Sequence, residues 1–251
     1  MDCIPRFVLA SLFGLAMACA GGTSGGDVDL GSLLSGLSGR DTASGLDEGT
    51  VVSGLKEALR VGTERSVART SRMDGFLADE LIRIHTPESL RTMTQALRTV
   101  GFGARVDELE VAMNRAAERA SGEAREVFWA GIRQMSVADA WGILNGGETA
   151  ATDYFRATTQ DALRARFAPI VEAQMQAVGL VRLYDDLVAR YRALPLTGLT
   201  AQPPDLRQHV TQGALDGLFL VLGQEEARIR QDPAARTSEL LRRVFAGARG
   251  G

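Results

Sequence analysis

From Asp47 onward, apolar residues return every three or four positions in almost every stretch of the chain, and only residues 81–84 (LIRI) alternate as a strand would. The first spacing keeps side chains on one face of a helix, the second on one face of a strand. Four residues make no sheet, so the pattern predicts an all-α fold. Val51, Val52, Leu55, Leu59 and Gly62 mark a helix running to about Thr70. Thr86, Pro87 and Glu88 read as an N-cap, a first-turn proline and a first-turn acid, opening a helix that stops at Gly101. Leu109, Met113, Ala116, Ala117 and Ala120 line the next, and Ala124, Val127, Phe128, Gly131, Ile132 and Met135 give the cleanest stripe. Ser136 and Asp139 form a capping-box pattern. Further helices are expected over 149–158, 160–178 and 180–194. After the non-periodic break at 195–204, Asp205 and Gln208 cap one running to about Arg230, and Asp232-Pro233 opens a last one to about Ala246. Without sustained heptads or a 34- or 40-residue repeat, neither coiled coil nor solenoid is expected. A body of about 200 residues can bury roughly 70% of its surface in one core. The expectation is one compact multi-helix domain over residues 46–247.

The start of the chain reads as an address. Residues 7–18 (FVLASLFGLAMA) are uncharged and follow Arg6. That length suits a signal peptide over 1–18 and falls short of the roughly 20 residues a bilayer span needs. Two cleavage readings stand. Ala16-Met17-Ala18 is an A-x-A site for ordinary signal peptidase. Leu15 to Ala18 before Cys19 also resembles the bacterial lipoprotein box, which implies acylation of Cys19 and a lipid anchor. The chain has 2 cysteines, and cleavage before Cys19 removes Cys3 and leaves Cys19 as a lone thiol, a liability unless it is acylated. Ala20, where aspartate often signals inner-membrane retention in such lipoproteins, leans toward the outer membrane facing the periplasm. Gly and Ser then dominate to about Gly45, a flexible tether over 19–45 that spans on the order of 28 Å as a coil. Within it Leu30, Leu33, Leu34 and Leu37 have the spacing of a short amphipathic turn, weakened by Gly31 and Gly36.

Composition narrows the chemistry. A net charge of -3 leaves no basic footprint for nucleic acid. With 2 His (His85 and His209) outside any ligand spacing, no metal and no cofactor are expected. The acid pairs Asp185-Asp186 and Glu225-Glu226 point about 100° apart on a helix and cannot converge on one site. Glu226 with Arg230 reads as an i, i+4 pair on a solvated face. Two places are less ordinary. At residues 145–156 (NGGETAATDYFR), Gly146 and Gly147 end one helix, and the first turn of the next would offer free N–H groups to an anion or carboxylate, Glu148 being the first-choice occupant. Thr152, Asp153 and Arg156 sit at the same corner. Residues 213–223 (GALDGLFLVLG) hold one charge, Asp216, in a helix otherwise apolar on all sides, a central core element. A buried carboxylate must be paired. Arg115 is the expected partner, beside Asn114 and Glu118 on an alanine-rich face.

The strings GLKEAL (54–59), DGFL (74–77), NRAAE (114–118), the pattern at 142–156, RF-PIV (166–171) and ALDGLF (214–219) come in one order. Together they resemble the bacterial envelope family catalogued as domain of unknown function 4197, over about 46–245. The resemblance implies an all-helical exported protein, often lipidated, and no established activity, cofactor or catalytic residue. The chain departs from it at Glu148-Thr149, usually more acidic, and at His209, usually aromatic, so no metal role follows for that corner.

Three functions compete. The first is a non-catalytic envelope lipoprotein whose helical body binds a protein partner or has a structural role, with the membrane engaged through its anchor. The second is a helical carrier of an apolar ligand or lipid. The third is an enzyme using carboxylate and Arg groups such as Asp216, Arg115, Glu118 and Arg156. The sequence favours them in that order, because small residues at helix contacts (Gly131, Ala116, Gly213, Gly217) argue for close packing over a cavity.

Overall fold

The computed structural model describes residues 48–177, 179–194 and 204–231. The leader, Cys19, the tether with its leucine turn, nearly all of the 195–204 break and the expected last helix after Asp232 lie outside the described residues.

The described body is all-α, as its periodicity predicts. It comprises α1 (Glu48–Ser71), α2 (Arg91–Leu97), α3 (Gly103–Ser121), α4 (Ala124–Gln134), α5 (Val137–Leu144), α6 (Ala150–Ala177), α7 (Leu180–Arg192) and α8 (Leu206–Gln231). α8 runs between α1, α3 and α6. Val210, Ala214, Leu215, Leu218, Phe219, Val221, Leu222 and Ile229 are all buried on it, which makes it the core element its composition predicts. Where α4, α6 and α8 meet, Phe128 stands edge-on to Phe155 at 5.2 Å and to Phe219 at 6.1 Å. Such pairs add about 0.5–1.5 kcal/mol beyond the area they bury. Among the described residues no helix is long and apolar enough to cross a membrane.

The capping box opens α5 as expected. Asp139 N–H donates to Ser136 Oγ at 3.1 Å and Ser136 N–H to Asp139 Oδ2 at 3.0 Å. Bonds from the Ser136 hydroxyl and then its backbone hold the Asp139 carboxyl below its ordinary value. Its contribution is therefore present above the unfolded carboxylate range and fades as pH drops through the lower, folded value.

Three local expectations change. The helices expected over 149–158 and 160–178 are one, α6. Thr158 and Thr159 do not break it because each hydroxyl turns back onto its own helix, to Tyr154 O at 2.8 Å and Phe155 O at 2.6 Å. The helix from Thr86 to Gly101 is composite. Pro87 precedes a 3-10 turn (Glu88–Leu90), α2 follows, and a π turn (Arg98–Phe102) ends it, with Gly101 at φ +90 where glycine alone is unstrained. Residues 81–84 form no strand. They end an irregular strap over 72–87 that buries Ile82 and Ile84 and leaves Leu81 exposed.

Candidate functional site

The strap's backbone is held by a row of polar side chains on α3. Glu110, Asn114 and Glu118 lie at i, i+4 and i+8, hence on one face. Asn114 is fully buried; its Oδ1 accepts from Ile84 N–H at 2.9 Å and its Nδ2 donates to Ile84 O at 2.8 Å. The amide thus supplies the two bonds a neighbouring strand would make. Glu118 Oε1 accepts from Phe76 N–H at 3.2 Å and Leu77 N–H at 3.3 Å, two successive amides converging as an anion nest. Glu110 Oε1 accepts from Thr86 N–H at 3.2 Å. Arg115 grips Glu118 Oε2 and Asp74 Oδ1, both at 2.7 Å. The Glu118 hydrogen bond first, then that of Asp74, holds the guanidinium above its ordinary value. Asp74 sits at φ 62, the left-handed turn that aims the following amides inward. Asn114→Ala should therefore cost about 2–4 kcal/mol, since it leaves both polar groups of Ile84 buried and unpaired. Urea denaturation measures it, and a loss under about 1 kcal/mol would exclude the bridging role.

The 145–156 corner does hold an anion at a helix start, but the carboxylate comes from elsewhere. Ala151 N–H donates to Glu226 Oε1 at 2.9 Å, while Thr152 N–H and Thr152 Oγ1 both donate to Glu226 Oε2 at 2.8 Å. Arg230 binds the same carboxylate through Nε at 3.0 Å and reaches Ile143 O at 2.8 Å. Glu148 is exposed and, among the described residues, meets Gln231 at 3.5 Å. The expectation of a solvated Glu226–Arg230 pair is thus corrected. Leu222, Glu226 and Ile229 share one face of α8, and that face points into the core. Gly146 has a steric reason to be glycine, as a Cβ there would sit 2.5 Å from Ala150 Cβ; Gly147 has open space. Asp153 faces out and accepts from Thr149 Oγ1 at 3.0 Å.

Asp216 is not buried and does not meet Arg115. Its side chain is 57% exposed, bonded to Gln212 at 2.9 Å and 3.7 Å from Arg156. Gln212, Asp216 and Leu220 form a row of α8 that looks outward, which a leucine disguises in the sequence. Arg156 spreads its guanidinium over the Phe219 ring, 4.5 Å from the centroid.

The candidate residues therefore separate into three groups with different duties. Asn114, Arg115 and Glu118 hold the strap, Thr152 holds Glu226, and Arg156 meets Asp216. Each histidine has a local role: His209 Nε2 lies 2.8 Å from His85 O, and His85 Nδ1 lies 3.6 Å from Glu110. Among the described residues no group of three or more His, Cys, Asp or Glu could share a metal ion. The apolar cavity beneath Glu226, lined by Leu55, Leu59, Ile143, Leu222 and Ile229, measures about 30 Å3.

Glu110 and Phe76 are not among the sequence candidates, and Glu226 is expected there on a solvated face instead of at the site. Spacing offered a signal for the two acids, as Glu226 continues the apolar row of Leu222 and Ile229, and Glu110 precedes Asn114 by one turn.

Against known families, the model described as "Protein of unknown function (DUF4197)" matches residues 45–246. No curated protein and no solved structure matches the chain.

Proposed function

Because the chain belongs to the DUF4197 family of proteins of unknown function, its role has to be read from its own residues, and we propose a non-catalytic binding or structural module of the bacterial envelope, tethered by lipid at Cys19. One observation carries the reading. Among the described residues, two places gather N–H groups around an anion, the nest at 76–77 and the first turn of α6, and both hold the protein's own carboxylates, Glu118 and Glu226. Among the described residues, two of the three buried carboxylates are thus committed to the backbone, and the third, Glu225, pairs with Arg228 at 3.5 Å. What is left to interact is the outer surface. A lipid carrier needs an internal space of several hundred Å3; about 30 Å3 holds little more than one water.

The anchor rests on the apolar leader and the lone mature cysteine. Several acyl chains, at about 0.8 kcal/mol per buried methylene, make such attachment effectively permanent. Cys19→Ala should move the protein from the membrane to the soluble fraction and abolish labelling by radioactive palmitate. A variant that still pellets with membranes would overturn the anchor. Fractionation by density then separates outer from inner membrane.

A further inference from the structure

We propose that the groove between residues 81–88 and α8 is the surface on which the body receives its partner, and that the occupant is a protein segment pairing an apolar side chain with a basic one. The inference rests on the binding-module reading above. The groove has a volume of about 420 Å3, within the range of about 300–1,000 Å3 typical of ligand sites. Leu81 and Leu220 face it from opposite walls, 69% and 41% exposed. Neither is a loose side chain on a loose backbone. Leu81 N–H is held by Asp79 Oδ1 at 3.2 Å, and Asp79 is ion-paired to Arg69. Ile82, directly after it, and Ile84, two residues further on, are both buried, so the turn cannot roll Leu81 inward without expelling Ile82. The groove is therefore set before anything binds, and a partner orders little on arrival.

Charge selects the occupant. Asp216 and Glu88 line the groove with carboxylates 57% and 78% exposed. The groove's arginine, Arg83, is only 29% exposed, against 57% and 78% for the two carboxylates, so the charge open to a partner is negative. The cations nearest the two carboxylates are weak counterweights. Arg156 stands 3.7 Å from Asp216 and is drawn over Phe219, while Arg91 meets Glu88 at 2.9 Å but is 66% exposed. Exposed pairs of this kind contribute little. An acyl chain would want an apolar lining; isolated leucines beside carboxylates suit a peptide carrying Lys or Arg near its apolar anchor.

The test places a photo-crosslinking phenylalanine derivative at position 81, 220 or 137 of the full chain in intact cells. Val137, 47% exposed on α5, is the control. The expected result is one protein, identified by mass spectrometry, attached from 81 and 220 and not from 137, through a segment holding an apolar and a basic residue. Asp216→Lys should lower that yield roughly tenfold, and changing the partner's basic residue to Glu should restore it. Adducts to lipid, adducts indifferent to Asp216→Lys, or none from 81 and 220 would each overturn the groove. Adducts from 137 alone would sink the groove and leave the binding-module reading standing, whereas no protein adduct from any position would sink both.

Discussion

Glu226→Gln should destabilise the body by about 3 kcal/mol, while Glu148→Gln should change it by no more than about 0.5 kcal/mol. The carboxylate of Glu226 accepts from two backbone amides and one hydroxyl of α6 and pairs with Arg230, with its side chain only 7% exposed. An amide keeps one acceptor oxygen and turns an NH2 toward N–H groups that need acceptors, leaving donors buried without partners. It also removes the charge opposite Arg230 inside a low-dielectric setting, where losing one half of a pair costs about 3–5 kcal/mol. Glu148 is exposed and, among the described residues, meets Gln231 at 3.5 Å, so the paired comparison isolates which acid serves the helix start. Thermal or urea melts of the two variants decide it, and equal losses would return the role to Glu148.

Phe76→Ala should cost the body about 3–5 kcal/mol. Phe76 is fully buried. It seats on α8 at Gly217, where a Cβ would lie 2.5 Å from Phe76 Cε1 and 3.1 Å from Ile82 Cβ. The two positions are therefore one lock, a ring filling the gap that a missing side chain leaves. Gly217→Ala should itself cost about 1–3 kcal/mol through overpacking. In the presence of Phe76→Leu, that penalty should shrink by 1 kcal/mol or so, because the shorter side chain vacates the contact. A double-mutant cycle by chemical denaturation measures the coupling, and strictly additive losses would show that ring and glycine do not bear on each other. The lock explains why DGFL (74–77) and ALDGLF (214–219) occur together: one supplies the ring, the other the space.

Where one residue's neighbours lie on its own helix, the sequence foretold them. The stripes of α1, α3 and α4, the Ser136–Asp139 box and the stop at Gly101 all follow from spacing within one turn or two. The seat at the start of α6 was legible for the same reason, since unpaired N–H groups belong to any helix start. Its occupant was not, because Glu226 arrives from α8 and nothing local marks which distant acid will come. Asp216 went astray in the opposite sense. Its apolar surroundings in sequence suggested burial on all sides, whereas Gln212, Asp216 and Leu220 share a row facing out, and only tertiary packing says which row that is. The irregular strap was legible as a gap in periodicity and no more. Its shape depends on Asn114 and Glu118, some 30 to 42 residues further along.

The reach of these two acids has a bearing on how the chain is made. Glu118 closes on amides 41 and 42 residues before it, and Glu226 on amides 74 and 75 residues before it. A nascent chain emerging N-terminus first exposes the start of α6 long before α8 exists to close it. Early segments can coil, yet none can reach its finished form until nearly the whole polypeptide has emerged. Synthesis from the N-terminus thus meets a clasp whose second half arrives about 75 residues late, and closure of the α6 start waits for it.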